Sequence, residues 1–302
     1  MKKVSYFLSI TLVASMLVAC GQKKSTETEA VEVATVEETV DPKLVAEGPY
    51  ETLIEATDQS PAYVLLNKTQ VNLEDFKKDK DGYYILFDGE SFNGWRGYDR
   101  DEVPGTWSIE DGAMKVTGSG MGEAHADNGG DLIFAHKFKN FELLFDWKVA
   151  KGSNSGVFYL AQEVKGEPIW LSSPEYQVLD NVGHVDGGLG ENGNRQSASL
   201  YDMIPAKPQN AKAVGEWNQG GILISKGTVV HKQNGKNVLE YHLWTPKWNE
   251  MIANSKFKPD GDYPLAYGLL TNTGGPNREG YIGFQDHGED TWFKNIRIKI
   301  LD

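Results

Sequence analysis

The pattern of apolar and polar positions changes character twice along the chain. Val4 to Val18 is an almost unbroken apolar run behind Lys2 and Lys3. At fifteen residues it is shorter than the roughly 20 that a membrane-spanning helix uses. From Gln22 to Glu47 the chain is rich in Glu, Thr, Val and Ala and has no aromatic residue. Such a segment buries too little apolar surface to offset its ordering entropy. From Tyr83 onward the period is two, the period of a strand with one buried face. Phe141 to Lys148 alternates throughout, so Phe141, Leu143, Phe145 and Trp147 share a face. Near the end, Trp292 to Ile300 puts Ile296, Ile298 and Ile300 on one side and Asn295, Arg297 and Lys299 on the other.

The same reading gives shorter strands at Tyr84–Phe87, Trp107–Ile109, Ala113–Thr117, Val157–Leu160, Tyr176–Leu179, Ile222–Ser225, Thr228–Lys232, Asn237–His242 and Tyr281–Gln285. Asp88-Gly89, Asp111-Gly112, Lys226-Gly227 and Asn234-Gly235 punctuate them as turns. The 33 glycines fit a chain dense in turns. Many short strands at regular intervals predict an all-β fold, a two-sheet sandwich or jelly roll. Helix is expected at Trp248 to Ser255, where Pro246 sits near the first turn. Leu53 to Phe76 is expected to hold another short helix. Two irregular stretches, Asn181 to Gly220 and Ala253 to Gly280, are long enough to read as binding loops.

Three polar clusters interrupt the strand pattern: Asn154-Ser155-Gly156, Glu175 to Asp180, and Gln285-Asp286-His287-Gly288. Alternation places Glu175 and Gln177 on one face, with Tyr176 and Val178 on the other. Gln285 and His287 likewise share a face. A carboxylate, carboxamides and an imidazole on sheet faces suit a carbohydrate or acid–base site. The same residues would equally serve a solvated sheet face, which antiparallel sheets commonly have.

The termini and the charge narrow the class. The apolar run ends Leu17-Val18-Ala19-Cys20-Gly21, which resembles a bacterial lipobox, with Cys20 the lipidated first residue after signal-peptidase cleavage. The organisation expected is a signal peptide at 1–20, an acidic tether at 21–48, an N-terminal extension at 49–82 and a sandwich at 83–302. Cys20 is the single cysteine, so disulfides, thiol nucleophiles and thiolate metal sites are excluded from the folded part. The net charge of -13 argues against nucleic acid as a partner. Contact with a membrane is expected through the lipid alone. The residues after Cys20 lack an acidic export run, which favours a periplasm-facing anchor in the cell envelope.

A longer ordered series carries a family resemblance. It runs Phe87-Asp88-Gly89, Gly94-Trp95, Asn154-Ser155-Gly156, Glu175 to Asp180, Leu200-Tyr201, Glu216-Trp217-Asn218, Asn234-Gly235, Ser255-Lys256-Phe257, Gln285 to Gly288 and Phe293 to Ile296. The series resembles the 3-keto-disaccharide hydrolase family over roughly Tyr83 to Leu301. The resemblance implies a concanavalin-like sandwich and cleavage of glycosides already oxidised at C3. A ketone there acidifies the C2 proton. A base removes it, and the enolate expels the C1 oxygen. The chemistry needs a base near C2, donors for the C3 oxyanion and an acid for the leaving oxygen. It does not need the two spaced carboxylates of an ordinary glycosidase.

In that frame Glu175 is the leading base and His287 the other acid or base. Asp180 is placed to orient His287 or to bind a metal. Asn154, Gln177 and Gln285 are candidate hydroxyl or oxyanion partners. Tyr201 and Trp217 are candidate sugar platforms, and Arg278 a candidate counter-charge for the enolate. Glu175, Gln177 and His287 are expected to line one pocket, rimmed by the two long loops. A divalent cation is left open. His184, His231 and His242 form no close pair in sequence, and Glu123, His125 and Asp127 are a weaker cluster. Two other readings stay open: a non-catalytic carbohydrate-binding module, and a conventional glucanase on the same fold.

Overall fold

The computed structural model describes residues 50–68, 70–119 and 128–302. Cys20, the acidic tether and the Glu123/His125/Asp127 cluster lie outside the described residues. In chain order the first strands are β1 (Glu51–Ile54), β2 (Tyr63–Leu66), β3 (Tyr84–Ile85), β4 (Trp95–Gly97) and β5 (Trp107–Glu110). Next come β6 (Ala113–Val116), β7 (Leu132–Phe134), β8 (Phe141–Val149), β9 (Asn154–Ala161) and β10 (Glu175–Leu179). The last are β11 (Asn218–Ser225), β12 (Thr228–Gln233), β13 (Lys236–His242), β14 (Tyr281–Phe284) and β15 (Thr291–Ile300). Two helices, α1 (Pro246–Ala253) and α2 (Pro264–Thr271), precede β14.

The strands form a five-stranded sheet, ordered β10-β9-β14-β7-β4, and an eight-stranded sheet, ordered β13-β12-β11-β8-β15-β6-β5 with β3 on β15. Every pairing within them is antiparallel. The sheets stack through aromatic side chains that alternate inward, as expected of a sandwich. Phe284 of β14 lies 4.5 Å from Phe293 of β15 and 6.1 Å from Phe145 of β8, centroid to centroid. Tyr176 of β10 meets Phe145 edge-on at 5.3 Å. The predicted inward set of β8 is fully buried: Phe141, Leu143, Phe145 and Trp147 are at most 2% exposed. A polar knot also crosses the layers. The Tyr159 hydroxyl lies 2.7 Å from His231 Nε2 and 2.6 Å from the Tyr241 hydroxyl, and His231 Nδ1 lies 2.9 Å from the Ala198 carbonyl. Burial pushes the His231 pKa down to about 4.

The hairpin between β12 and β13 turns on Asn234 (φ 45°) and Gly235 (φ 77°). Both lie in the left-handed region, as a two-residue primed turn demands. Two expectations fail. Leu53 to Phe76 holds the hairpin β1–β2 and a single 3-10 turn at Leu73–Asp75 instead of an α-helix. The hairpin docks on the end of β9, where Leu66 N donates to the Glu163 carbonyl at 2.8 Å. Residues 253–280 are also more ordered than expected, because Pro264 starts α2 within them. Strands β4 and β7, three residues each, are too short to leave a legible period.

Candidate active site

The five-stranded sheet has an inner face toward its partner sheet and an outer face, and strand parity decides which residues each receives. Cross-strand partners share a face. Tyr176 pairs with Val157, and both belong to the inter-sheet core. Glu175 therefore shares the outer face with Phe158, Gln177 with Gly156, and Leu179 with Asn154. The ladder continues beyond β14, since Gln285 N donates to the Gly156 carbonyl at 2.9 Å. The polar clusters thus converge on one floor. Glu175 is 8% exposed, Gln177 0%, Asn154 3% and Gln285 4%. Gly156 leaves the space that Glu175 fills: a methyl group there would collide with the Glu175 carboxylate. Two buried amide atoms on this floor, Asn154 Oδ1 and Gln177 Nε2, have no hydrogen-bond partner. Buried polar atoms are rarely left so, and a bound hydroxyl would satisfy each.

At the end of this floor Asp286 fixes the turn that carries His287. Its Oδ2 accepts from the Thr106 hydroxyl at 2.7 Å and Gly130 N at 3.1 Å. Its Oδ1 accepts from Gly288 N at 3.1 Å, and its own N–H donates to Asp131 Oδ1 at 2.9 Å. His287 Nδ1 lies 2.8 Å from Glu289 Oε2. The His184 ring stands 5.6 Å from that of His287, nearly perpendicular to it. Donor atoms of His184, His287 and Glu289 all fall within 4.8 Å of one another. The sequence thus concealed a histidine pair, because 102 residues separate its members.

Asp180 has a different task from the one expected. Its Oδ2 accepts from Gly152 N at 2.8 Å, and its Oδ1 from Gly183 N at 3.0 Å and Val182 N at 3.2 Å. Burial raises its pKa, but these three donors outweigh burial and hold the carboxyl below its ordinary range. Asp180 fastens the loop that presents His184, while Glu289 is the carboxylate on His287.

Tyr201 forms a wall. Its N–H donates to the Glu175 carbonyl at 3.1 Å, and its hydroxyl to Asp186 Oδ2 at 3.3 Å. Asn154 Nδ2 approaches the same oxygen at 3.5 Å. Burial, and then the Glu175 carboxylate, push the Tyr201 pKa well up. Lys256, part of the ordered series but given no role from the sequence, places its ammonium 4.5 Å from the Tyr201 ring centre. Arg195, also unflagged, donates from Nε to Asp202 Oδ1 at 2.6 Å and lies 3.6 Å from Asp186. Behind this wall a cavity of about 530 Å³ is lined by residues that include Arg195, Asp202, Met203, Met251 and Lys256.

Two sequence candidates lie elsewhere. Trp217 directly precedes β11 in the eight-stranded sheet, where Lys148 and Lys294 sit over its ring at 5.1 and 4.0 Å. It is not part of this floor. Arg278 precedes β14, seven residues before Gln285. Its guanidinium covers Trp244 at 4.4 Å. A strand rises about 3.3 Å per residue, so Arg278 belongs to the opposite end of the sheet. Of the second long loop, only Asn254, Ser255 and Lys256 reach the cavity wall. His231 is the core knot, and His242 is an exposed residue beside Glu240.

Comparisons with known proteins identify the family. A family model of the 3-keto-alpha-glucoside-1,2-lyase-like domain matches residues 82–299. A 3-keto-disaccharide hydrolase of Bacteroides thetaiotaomicron is 54% identical, with all of both chains covered. The crystal structure of a candidate glycosyl hydrolase from Parabacteroides distasonis superposes with a TM-score of 0.61 at 27% identity, covering 74% of this chain and 95% of that one. A second from the same organism gives 0.49 at 26% identity, over 69% of this chain and all of the other. With a family model over most of its length and a relative at 54% identity, this chain belongs to the 3-keto-alpha-glucoside-1,2-lyase-like family.

Proposed function

We propose that this protein cleaves 3-keto-glycosides by taking the C2 proton and eliminating the C1 oxygen. The observation that carries the reading is the Glu175 carboxylate, seated over Gly156 among the unpartnered amide atoms of Asn154 and Gln177. A base beside groups that hold sugar hydroxyls is what C2 deprotonation requires. Glu175 takes the proton from C2. Asn154 and Gln177 fix the ring. His287, oriented by Glu289, serves the leaving oxygen at the end of the floor. An imidazole aligned by a carboxylate is a recurrent proton-transfer device. Water adding across the resulting enone gives net hydrolysis.

The conventional glucanase reading needs a second acid opposite Glu175. Asp180, the acid offered by the same sequence cluster, is occupied with three backbone donors. A binding module could accept sugar hydroxyls on the same carboxylate, but it would not turn the keto compound over.

We infer further that His184, His287 and Glu289 are able to hold a divalent cation. Two imidazoles and a carboxylate suit manganese, iron or zinc. An ion held by His287 and Glu289 would take the place of any proton the two share across their 2.8 Å contact. When bound, such an ion supplies Lewis acidity at the leaving-group end. The lipid at Cys20 and an envelope location belong to the same proposal and rest on the Leu-Val-Ala-Cys ending, and a periplasmic orientation rests on the lack of an acidic run after Cys20.

The function is tested by incubating the protein with a 3-keto-disaccharide and with its unoxidised parent, then analysing products. Cleavage of the keto compound alone supports it. Equal cleavage of the parent would sink it.

A further inference from the structure

Removing the C2 proton develops negative charge on the C3 oxygen, and a donor or cation placed there stabilises it. Arg278, the cation suggested by the sequence, lies at the far end of the sheet. Three others stand near the floor. Arg195 is held by Asp202 and Asp186. Lys247 is 71% exposed at its side chain and pairs with Glu250 at 3.0 Å. Lys256 is set apart by its aromatic surroundings, of which Arg195 shares only Tyr201, at 5.3 Å. Its backbone N–H is anchored on Asp202 Oδ2 at 2.8 Å. Its ammonium sits among four aromatic rings: Tyr201 at 4.5 Å, Trp170 at 4.9 Å, Phe257 at 5.1 Å and Tyr263 at 5.9 Å.

Two of those rings locate Lys256 relative to Glu175. Tyr201 hydrogen-bonds to the Glu175 backbone. Trp170 packs against the apolar cluster that contains Phe158, the cross-strand partner of Glu175. The ammonium is thus held between two neighbours of the base, on the base's own face of the sheet. Aromatic faces attract a cation and exclude water from around it. A preoriented charge in such surroundings stabilises a developing oxyanion far more than it would in bulk water.

We propose that Lys256 is a further catalytic residue, whose ammonium takes the charge that develops on the C3 oxygen. As the C2–H bond breaks, the proton goes to Glu175 and the electron pair forms C2=C3, driving the carbonyl pair onto oxygen beside Lys256. The ketone then re-forms, C1=C2 appears, and the C1–O pair leaves with the departing oxygen, which takes up one proton. The inference rests on the elimination reading above.

The test compares wild type with K256M and K256R on a 3-keto-disaccharide in heavy water, reading both cleavage and deuterium entry at C2. K256M should lose at least a hundredfold in both, the usual size of a lost oxyanion partner. K256R, which keeps the charge, should retain clearly more of each. Thermal midpoints report whether the fold is intact. If K256M does not fold, K256Q, polar and of similar length, replaces it with the same expectation. A folded K256M or K256Q that exchanges C2 at the wild-type rate overturns the assignment, whether or not cleavage falls, because the enolate then forms without Lys256. A wild type that neither cleaves nor exchanges the keto compound would instead sink the elimination reading itself.

Discussion

Gly156 lies directly beneath the carboxylate of Glu175, on the neighbouring strand and the same sheet face. The glycine is a requirement of close approach rather than of backbone freedom. Gly156→Ala is therefore expected to keep the sandwich and displace the base. A misplacement of about 1 Å costs on the order of a hundredfold in rate. Steady-state kinetics beside a thermal midpoint check this. A Gly156→Ala protein with wild-type kcat would show that Glu175 is not the group that moves the proton.

The cluster of His184, His287 and Glu289 predicts a response to metal removal. Dialysis against a chelator should lower turnover at least tenfold, and manganese, cobalt or zinc should restore it. His184→Ala removes a ligand and should weaken metal retention, measured by elemental analysis, by at least about 100-fold, the upper end of what an outer-shell change costs. Full activity after exhaustive chelation would assign the cluster to proton transfer alone.

His231 predicts a pH dependence of stability. The folded protein keeps it neutral down to about 4, whereas an exposed histidine takes up a proton near 6.5. Between those values the unfolded chain binds the extra proton, so stability must fall as pH falls through the window. At 1.36 kcal/mol per unit the loss is on the order of 3 kcal/mol. Urea midpoints of wild type and His231→Gln, taken from pH 7 to pH 4, isolate the effect. The two curves should converge toward low pH, and curves that stay parallel would contradict it.

The Leu-Val-Ala-Cys ending predicts that Cys20→Ser releases the protein into the soluble fraction with its fold unchanged. Membrane association that persists in the variant, without detergent, would refute a lipid on Cys20.

How much of this was legible in the sequence follows from the range of each signal. Strand parity is local, so Glu175 and Gln177 could be placed on one face from alternation, and β8 could be drawn with its buried side, whereas Asn154 joined them only through the register of β9 on β10. The asparagine–glycine turn declared itself through the two positive-φ positions it needs. Partnerships across the chain left no such trace. His184 meets His287 only because Asp180 ties down one loop and Asp286 the other. Lys256 follows α1 in a segment without period, and its aromatic neighbours come from four separate places in the chain. Arg278 and Trp217 misled for the converse reason: a cation in a glycine-rich loop and a tryptophan beside polar residues suit many surroundings. Strands β4 and β7 were too short for a pattern to form.

The central claim is that Glu175 removes the C2 proton of a 3-keto-glycoside. The most direct measurement follows C2 during turnover of a 3-keto-disaccharide in heavy water, by wild type and by Glu175→Gln. The account predicts deuterium at C2 of the released keto-sugar with wild type, and a loss of both cleavage and exchange of about a hundredfold or more in the variant. Cleavage by wild type with no deuterium at C2, or a Glu175→Gln protein that exchanges C2 at the wild-type rate, would contradict it.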